Sequence, residues 1–234
     1  MPDPTVIAVD WSGAKGSGRH KGIWLCAKDN DGEFSRGRWA RAEVVDYVIS
    51  TAGPIIVGFD FSFGLPAWFA HDQKCETVDD VWRRAEEMCD EWLLPNATPP
   101  FWNDRLVLPR DQQFRVCEER YTGAKSVFNL AAIGMVGPGS IRGMPHLARL
   151  REAGFAIWPF DDPNDRTVIE IYPTPLRALA PQHDVGPWRS DDERDAVVSA
   201  RVMWDHRETV AALRAATDPT TRLEGDIWAP TASL

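Results

Sequence analysis

Two acidic residues stand where apolar runs end. The run Val6–Val9 ends on Asp10, and the run that starts at Pro54 ends on Asp60. Continuous apolar runs of this length are typical of strands covered on both faces of a sheet. Because the carboxyl ends of parallel strands form the ligand-binding edge of an open α/β sheet, we expect both carboxylates at that edge.

Three further acids belong to predicted elements nearby. Glu170 lies inside the apolar strand predicted over Thr167–Tyr172. Asp192 and Asp195 are three apart in the helix predicted over Ser190–Ala216, so they share a face. Asp195 also aligns with the buried-type valines of that helix, which predicts that it points toward the sheet.

Clustered carboxylates need a counter-charge, because several like charges close together cannot all stay ionised. Neighbouring strands lie about 4.8 Å apart, so Asp10 and Asp60 would be this close at their backbones if their two strands are neighbours. Divalent metals would offset the repulsion and organise phosphoryl transfer, and oxygen-only ligation favours Mg²⁺ or Mn²⁺. The expected metal ligands are Asp10, Asp60 and Asp195. Asp192 and Glu170 complete the expected catalytic set, and Lys15 or Lys125 is expected to position a phosphate.

Each acid also has a purely structural interpretation. Asp10 precedes Ser12-Gly13, which is typical of a turn capped by an aspartate side chain, and the same interpretation is open for Asp60. Glu170 could pair with an arginine. Asp192 lies in the first turn of its helix, where a negative charge is favourable without any function.

The order of predicted elements is that of a single α/β domain covering residues 1–234. Three strands joined by short turns, with a hairpin turn at Asp29–Gly32, precede a helix over Arg41–Ala52 and a parallel fourth strand. A long helical and irregular insert, 67–165, separates that strand from the fifth. The expected core is therefore 1–66 and 166–216, a mixed five-stranded sheet flanked by helices, with a tail at 217–234.

Three features of the insert and the last helix are specific enough to test. Thr77 is the expected N-cap of a helix ending at Trp92, and Ser190 with Glu193 forms a capping box. The glycines of Gly134–Gly143 predict a tight loop, followed by a helix over Met144–Ala153.

Composition limits the classes of function. The formal net charge of −9 argues against broad, nonspecific nucleic-acid binding, although it leaves room for a small site where metal ions supply positive charge. The four cysteines form no C-x-x-C pair, which favours reduced thiols over zinc. The sequence shows no signal-peptide pattern and no apolar stretch of membrane-spanning length, so we expect a cytoplasmic location.

The order β-β-β-α-β, insert, β-α with these acids resembles the ribonuclease H-like (RNase H-like) fold. The strand-end acids and the Asp192–Asp195 pair look like those of its Holliday-junction resolvase branch. More narrowly, the chain resembles domain-of-unknown-function family 429, predicted RNase H-like nucleases. The matching segments are Val9–Gly13, Asp60–Pro66, Glu170–Pro173, Asp192–Ala200 and Glu224-Gly225. The resemblance implies a three-layer α/β fold and a metal-dependent nuclease, although the insert is not part of a minimal RNase H core.

Two other functions fit the same pattern. Asp10–Gly16 could be the phosphate loop of an actin-like ATPase or sugar kinase, which would make the partner a nucleotide and not a nucleic acid. Proteins of that type usually carry two copies of the core, and one copy nearly exhausts this chain. The fold could also serve as a noncatalytic binding scaffold.

Overall fold

A computed structural model describes residues 3–16, 18–19, 22–94, 99–103, 108–131 and 135–230. It is an α/β structure whose mixed sheet has the strand order β3-β2-β1-β4-β6-β5. The strands are β1 Thr5–Asp10, β2 Trp24–Lys28, β3 Glu33–Gly37, β4 Ile55–Phe59, β5 Ala156–Ile157 and β6 Arg166–Glu170. The α-helices are α1 Arg41–Ser50, α2 Ala67–Asp72, α3 Val78–Trp92, α4 Gly137–Glu152, α5 Pro173–Leu179, α6 Asp191–Asp205, α7 Arg207–Ala211 and α8 Pro219–Glu224.

The centre of the sheet follows the sequence pattern. β1 pairs antiparallel with β2 and parallel with β4, and β4 pairs parallel with β6. All five residues of β4 are buried, as its continuous apolar run predicts for a covered strand. Since β1, β4 and β6 run in the same direction, their carboxyl ends meet at one edge of the sheet.

Two apolar layers cover the sheet. One contains α1, α3 and α4, with Ile7, Val57 and Trp82 among its buried side chains. The other is built on α6, whose Val198 and Val202 pack with Ala8 and Ile169 of the sheet. Sheet and helices thus form three layers, and α6 packs chiefly on β1 and β2. None of the helices among the described residues has the length and apolar character to cross a membrane.

The strand count corrects the five-stranded prediction. The sixth strand, β5, is two residues long and pairs parallel with the edge of β6. It lies inside the segment 67–165 that the sequence predicts to be an insert outside the sheet. Two residues carry too little periodicity for a sequence pattern to distinguish a strand from a loop.

Two helix predictions also need correction. Most of the predicted loop over Gly134–Gly143 is helical, because α4 begins at Gly137, while Gly134 lies outside the described residues. The glycines allow close packing here: a Cβ on Gly143 would lie 2.7 Å from the Phe61 ring. The last helix does not run on to Ala216, since α6 ends at Asp205 and a separate helix follows.

The two predicted N-cap residues, Thr77 and Ser190, are N-caps in the structure. The hydroxyl of Thr77 accepts a hydrogen bond from the Asp80 amide, and the Asp80 carboxylate accepts one from the Thr77 amide. Ser190 accepts from the amide of Glu193 at 3.1 Å. The second half of that capping box is absent, because the Glu193 carboxylate binds Arg189 and accepts from its amide instead.

A candidate active site at the carboxyl edge of the sheet

Asp10 and Asp60 lie side by side at the carboxyl edge of the sheet. Val9 of β1 is in register with Phe59 of β4, and the amide of Asp60 donates to the Val9 carbonyl at 3.0 Å. Both acidic side chains line one cavity of about 380 Å³. The apolar runs therefore bring the two carboxylates together, as the sequence predicts.

These two carboxyl groups sit in an environment that disfavours their charge. Burial raises the pKa of Asp10 well above its usual range, and the negative charges of Asp60 and Asp192 raise it further. Burial and the charge of Glu170 raise the pKa of Asp60 to about 7. Arg177 opposes both shifts, but among the described residues neither side chain forms a hydrogen bond or an ion pair.

The helix acid at the cavity is Asp192, and not Asp195 as we expected for a metal ligand. Asp192 lines the cavity, and burial raises its pKa. Asp195 is absent from the cavity wall, and its carboxylate forms an ion pair with Arg177 of α5. Helical spacing places both acids on one face, but the position of the short helix α5, which the sequence does not predict, decides which of them is neutralised.

Glu170 reaches the cavity wall, but its charge is already paired. Both of its carboxylate oxygens accept hydrogen bonds from the guanidinium of Arg115, and one also accepts from the Phe63 amide at 2.9 Å. Burial raises the pKa of Glu170, and Arg115 acts against that shift. The alternative in which Glu170 pairs with an arginine therefore describes this residue. Both of its carboxylate oxygens already have partners, which argues against the expected catalytic role.

Arg115 connects four parts of the chain in the interior. It is fully buried and contacts Glu118 of the insert, Glu170 of β6 and the carbonyl of Glu224 in α8. Glu118 in turn accepts from the hydroxyl of Ser62, in the loop after β4. We call this set of groups (Arg115, Glu118, Glu170, Glu224 and Ser62) the Arg115 network. It fixes the insert and the tail against the wall of the cavity.

The two candidate phosphate-binding lysines differ in position. Lys125 lines the cavity and its side chain is exposed to solvent. Lys15 is exposed but does not line the cavity. Two further residues of the site, Arg177 and Tyr172, were not predicted from the sequence. Tyr172 lines the cavity, and Arg177 acts against the raised pKa values of both strand-end acids. The available signal was their position within eight residues after β6, at the same edge as Asp10.

Asp10 and Asp60 have the chemistry to hold a hard divalent cation. Among the described residues, no group of three or more His, Cys, Asp or Glu side chains is arranged to hold a metal ion. Mg²⁺, however, commonly keeps several waters and binds through one or two carboxylates together with substrate phosphates. Two adjacent, unpaired carboxylates whose pKa values are raised by burial and by neighbouring negative charges fit that mode of binding.

Comparisons with known proteins found no match to this chain. No protein-family model, no curated protein and no solved structure matches the chain. The interpretation of the cavity therefore depends on its geometry and electrostatics.

Stability without metal should depend on pH through Asp60. Its pKa of about 7 in the folded protein exceeds the ordinary value of 3.8, so the folded state holds the proton more tightly. This contribution is complete below pH 3.8 and is lost as the pH rises through 7. In EDTA, we expect the free energy of unfolding to fall by roughly 2 kcal/mol between pH 5 and pH 8.

Urea denaturation of wild type and Asp60→Asn at both pH values measures this effect. The Asn variant keeps the shape of the side chain and has no proton to lose, so its pH dependence should be clearly smaller. Parallel pH profiles in the two proteins would show that Asp60 has no raised pKa.

Proposed function

We propose that this protein is a metal-dependent phosphodiester hydrolase, a nuclease, whose metal is held by Asp10 and Asp60. The observation that carries the proposal is the adjacency of these two strand-end carboxylates, which share one cavity and lack any direct side-chain partner among the described residues. Their raised pKa values indicate that the site needs additional positive charge.

We also infer that the fold is RNase H-like. The strand order supports this: an antiparallel β3-β2-β1 unit continues into β4 and β6, both parallel to β1. After β6 and the short helix α5, the helix α6 carries an acid back to the same edge of the sheet. The short β5 and the insert are additions to that arrangement.

The residues around the cavity have different roles in the proposed hydrolysis. When bound, Mg²⁺ or Mn²⁺ supplies positive charge to the phosphodiester and lowers the pKa of water. Asp10 and Asp60 hold the ion. Asp192, whose carboxylate is half-buried and has a raised pKa, accepts the proton of the attacking water. Lys125 donates to a nonbridging phosphate oxygen from the cavity wall.

Hydrolysis then proceeds by displacement at phosphorus. The water oxygen forms a bond to phosphorus as the bond from phosphorus to the leaving oxygen breaks. The leaving oxygen takes its proton from solvent. Arg177, held by Asp195, limits the negative charge at the cavity before substrate arrives.

The loop after β1 gives less support to the actin-like alternative. Phosphate loops present backbone amides and a lysine to the phosphate groups. Here the guanidinium of Arg41 donates to the carbonyls of Ser12, Ala14 and Gly16, which holds the loop toward α1. Lys15 does not reach the cavity wall.

The test of the proposed function is hydrolysis of bis(p-nitrophenyl) phosphate and of RNA, DNA and hybrid oligonucleotides. Activity should appear with Mg²⁺ or Mn²⁺ and disappear with EDTA. Nucleotide binding by calorimetry without any phosphodiester cleavage would favour the phosphotransferase alternative. Absence of both activities at saturating metal would favour the noncatalytic scaffold.

A further inference from the structure

A second groove adjoins the candidate active site. It has a volume of about 510 Å³ and lies along β3, the edge strand of the sheet. Asp192 lines both this groove and the cavity that contains Asp10 and Asp60. The two concave surfaces therefore meet at the acid that we propose to be the proton acceptor. We call the second one the β3 groove.

Positive charge is concentrated in the β3 groove, although the whole chain carries a net charge of −9. Arg36, Arg38 and Arg189 line it. Arg189 is paired with the buried carboxylate of Glu193. Arg36 and Arg38 form no side-chain ion pair or hydrogen bond with the described residues, although Glu43, which is paired with Arg19, also interacts electrostatically with Arg36.

Aromatic rings hold two of the guanidinium groups in place. The Arg36 guanidinium lies 4.6 Å from the centroid of the Trp39 ring, and that of Arg189 lies 4.6 Å from the Trp24 ring. Such contacts stabilise a cation without using its outward-facing donors. The donors of Arg36 are then available to phosphate oxygens at a low entropic cost, whereas Arg189 donates to Glu193 and Ser35.

The groove also offers an apolar surface for a base. Phe34 is 50% exposed, and it lies two residues before Arg36 on the edge strand, so the two side chains share one face. An exposed aromatic ring beside cationic groups is the combination used by proteins that bind single strands, where bases stack and phosphates pair with arginine.

We propose that the β3 groove binds the single-stranded nucleic acid that flanks the bond to be cleaved. This inference rests on the proposed function and makes its substrate class a polynucleotide. Phosphates pair with Arg36 and Arg38, a base stacks on Phe34, and the strand enters the cavity past Asp192. A second copy of the chain on the same edge strand would bring the arginines of two grooves together, which charge repulsion disfavours.

Binding of fluorescein-labelled (rU)20 and (dT)20, measured by anisotropy in Ca²⁺, tests the groove. The test variant is Arg36→Gln/Arg38→Asn, in which asparagine suits the positive φ of 63° at position 38. The control, Arg83→Gln/Arg222→Gln, makes the same change in net charge at exposed arginines that line other cavities.

We expect the groove variant to bind at least one of the oligonucleotides about tenfold more weakly, with a salt dependence reduced by about 1.4 in log–log slope for two lost phosphate contacts. The control should bind like wild type. Equal affinity of wild type and groove variant for both oligonucleotides would overturn the proposal. So would a dimer, detected by light scattering, that the groove variant dissociates.

Hydrolysis of bis(p-nitrophenyl) phosphate separates this inference from the proposed function. It should be unchanged in the groove variant, because that substrate is too small to occupy the groove. Hydrolysis by wild type with no effect of the variant on oligonucleotide binding would reject the groove alone. Binding that depends on the groove, without hydrolysis of any substrate, would reject the nuclease and keep the groove.

Discussion

Replacing Asp10 with Asn is expected to lower the rate of metal-dependent phosphodiester hydrolysis by about 10³-fold, equivalent to roughly 4 kcal/mol of transition-state stabilisation. The reason is that Asp10 supplies one of the two adjacent carboxylates that hold the ion, and Asn removes its charge while keeping its shape. Asp60→Asn should have an effect of similar size. Initial rates at saturating Mn²⁺ measure both.

The same substitution should not destabilise the metal-free protein. Burial and the neighbouring acids raise the pKa of Asp10, so its charged form is unfavourable in the folded state. A neutral side chain removes that penalty, and the melting temperature in EDTA at pH 8 should stay the same or rise. Loss of activity with retained stability is typical of a functional residue.

Asp90→Asn is the matched control for these variants. Asp90 is an exposed acid on α3, and it does not line the cavity. Its replacement makes the same change in charge and should leave the rate within about twofold. Equal activity of wild type and Asp10→Asn would contradict the catalytic assignment.

Replacing Arg115 with Met is expected to lower the free energy of unfolding by about 3–5 kcal/mol. Methionine fills a similar volume, but it leaves the carboxylates of Glu118 and Glu170 buried without their guanidinium. An unpaired buried charge is far more costly than an intact buried pair is stabilising. The Arg115 network should therefore be among the most sensitive parts of the interior.

Urea denaturation at pH 7 measures this loss, with Arg110→Met as the exposed control. The double variant Arg115→Met/Glu170→Gln should recover part of the stability, because it removes one of the unpaired charges. A loss below about 1 kcal/mol for Arg115→Met would show that water or rearrangement satisfies these carboxylates, and that the network does not fix the insert.

The sequence was most informative where one element alone determines the position of a residue. Asp10 is the last residue of one buried strand and Asp60 follows another, so the apolar runs place both at the same edge of the sheet. The hydroxyl caps at Thr77 and Ser190 depend only on residues three positions away. Such local relations can be predicted from spacing, because nothing distant in the chain competes with them.

Pairings between particular side chains of distant segments could not be predicted in this way. Arg115 and Glu170 are 55 residues apart, and no pattern in either segment points to the other. Helical spacing placed Asp192 and Asp195 on one face but could not show which of them α5 would pair with an arginine. The glycines at the start of α4 predict a loop from the sequence alone, since their role in close packing depends on the partner surface.

Anomalous scattering from crystals of the protein grown with Mn²⁺ would show directly whether the two strand-end acids bind a metal. We expect a manganese ion bound by carboxylate oxygens of both Asp10 and Asp60. We expect no ion at this position in Asp10→Asn crystals treated in the same way. A wild-type structure at saturating Mn²⁺ with no ion between these two carboxylates would contradict this expectation.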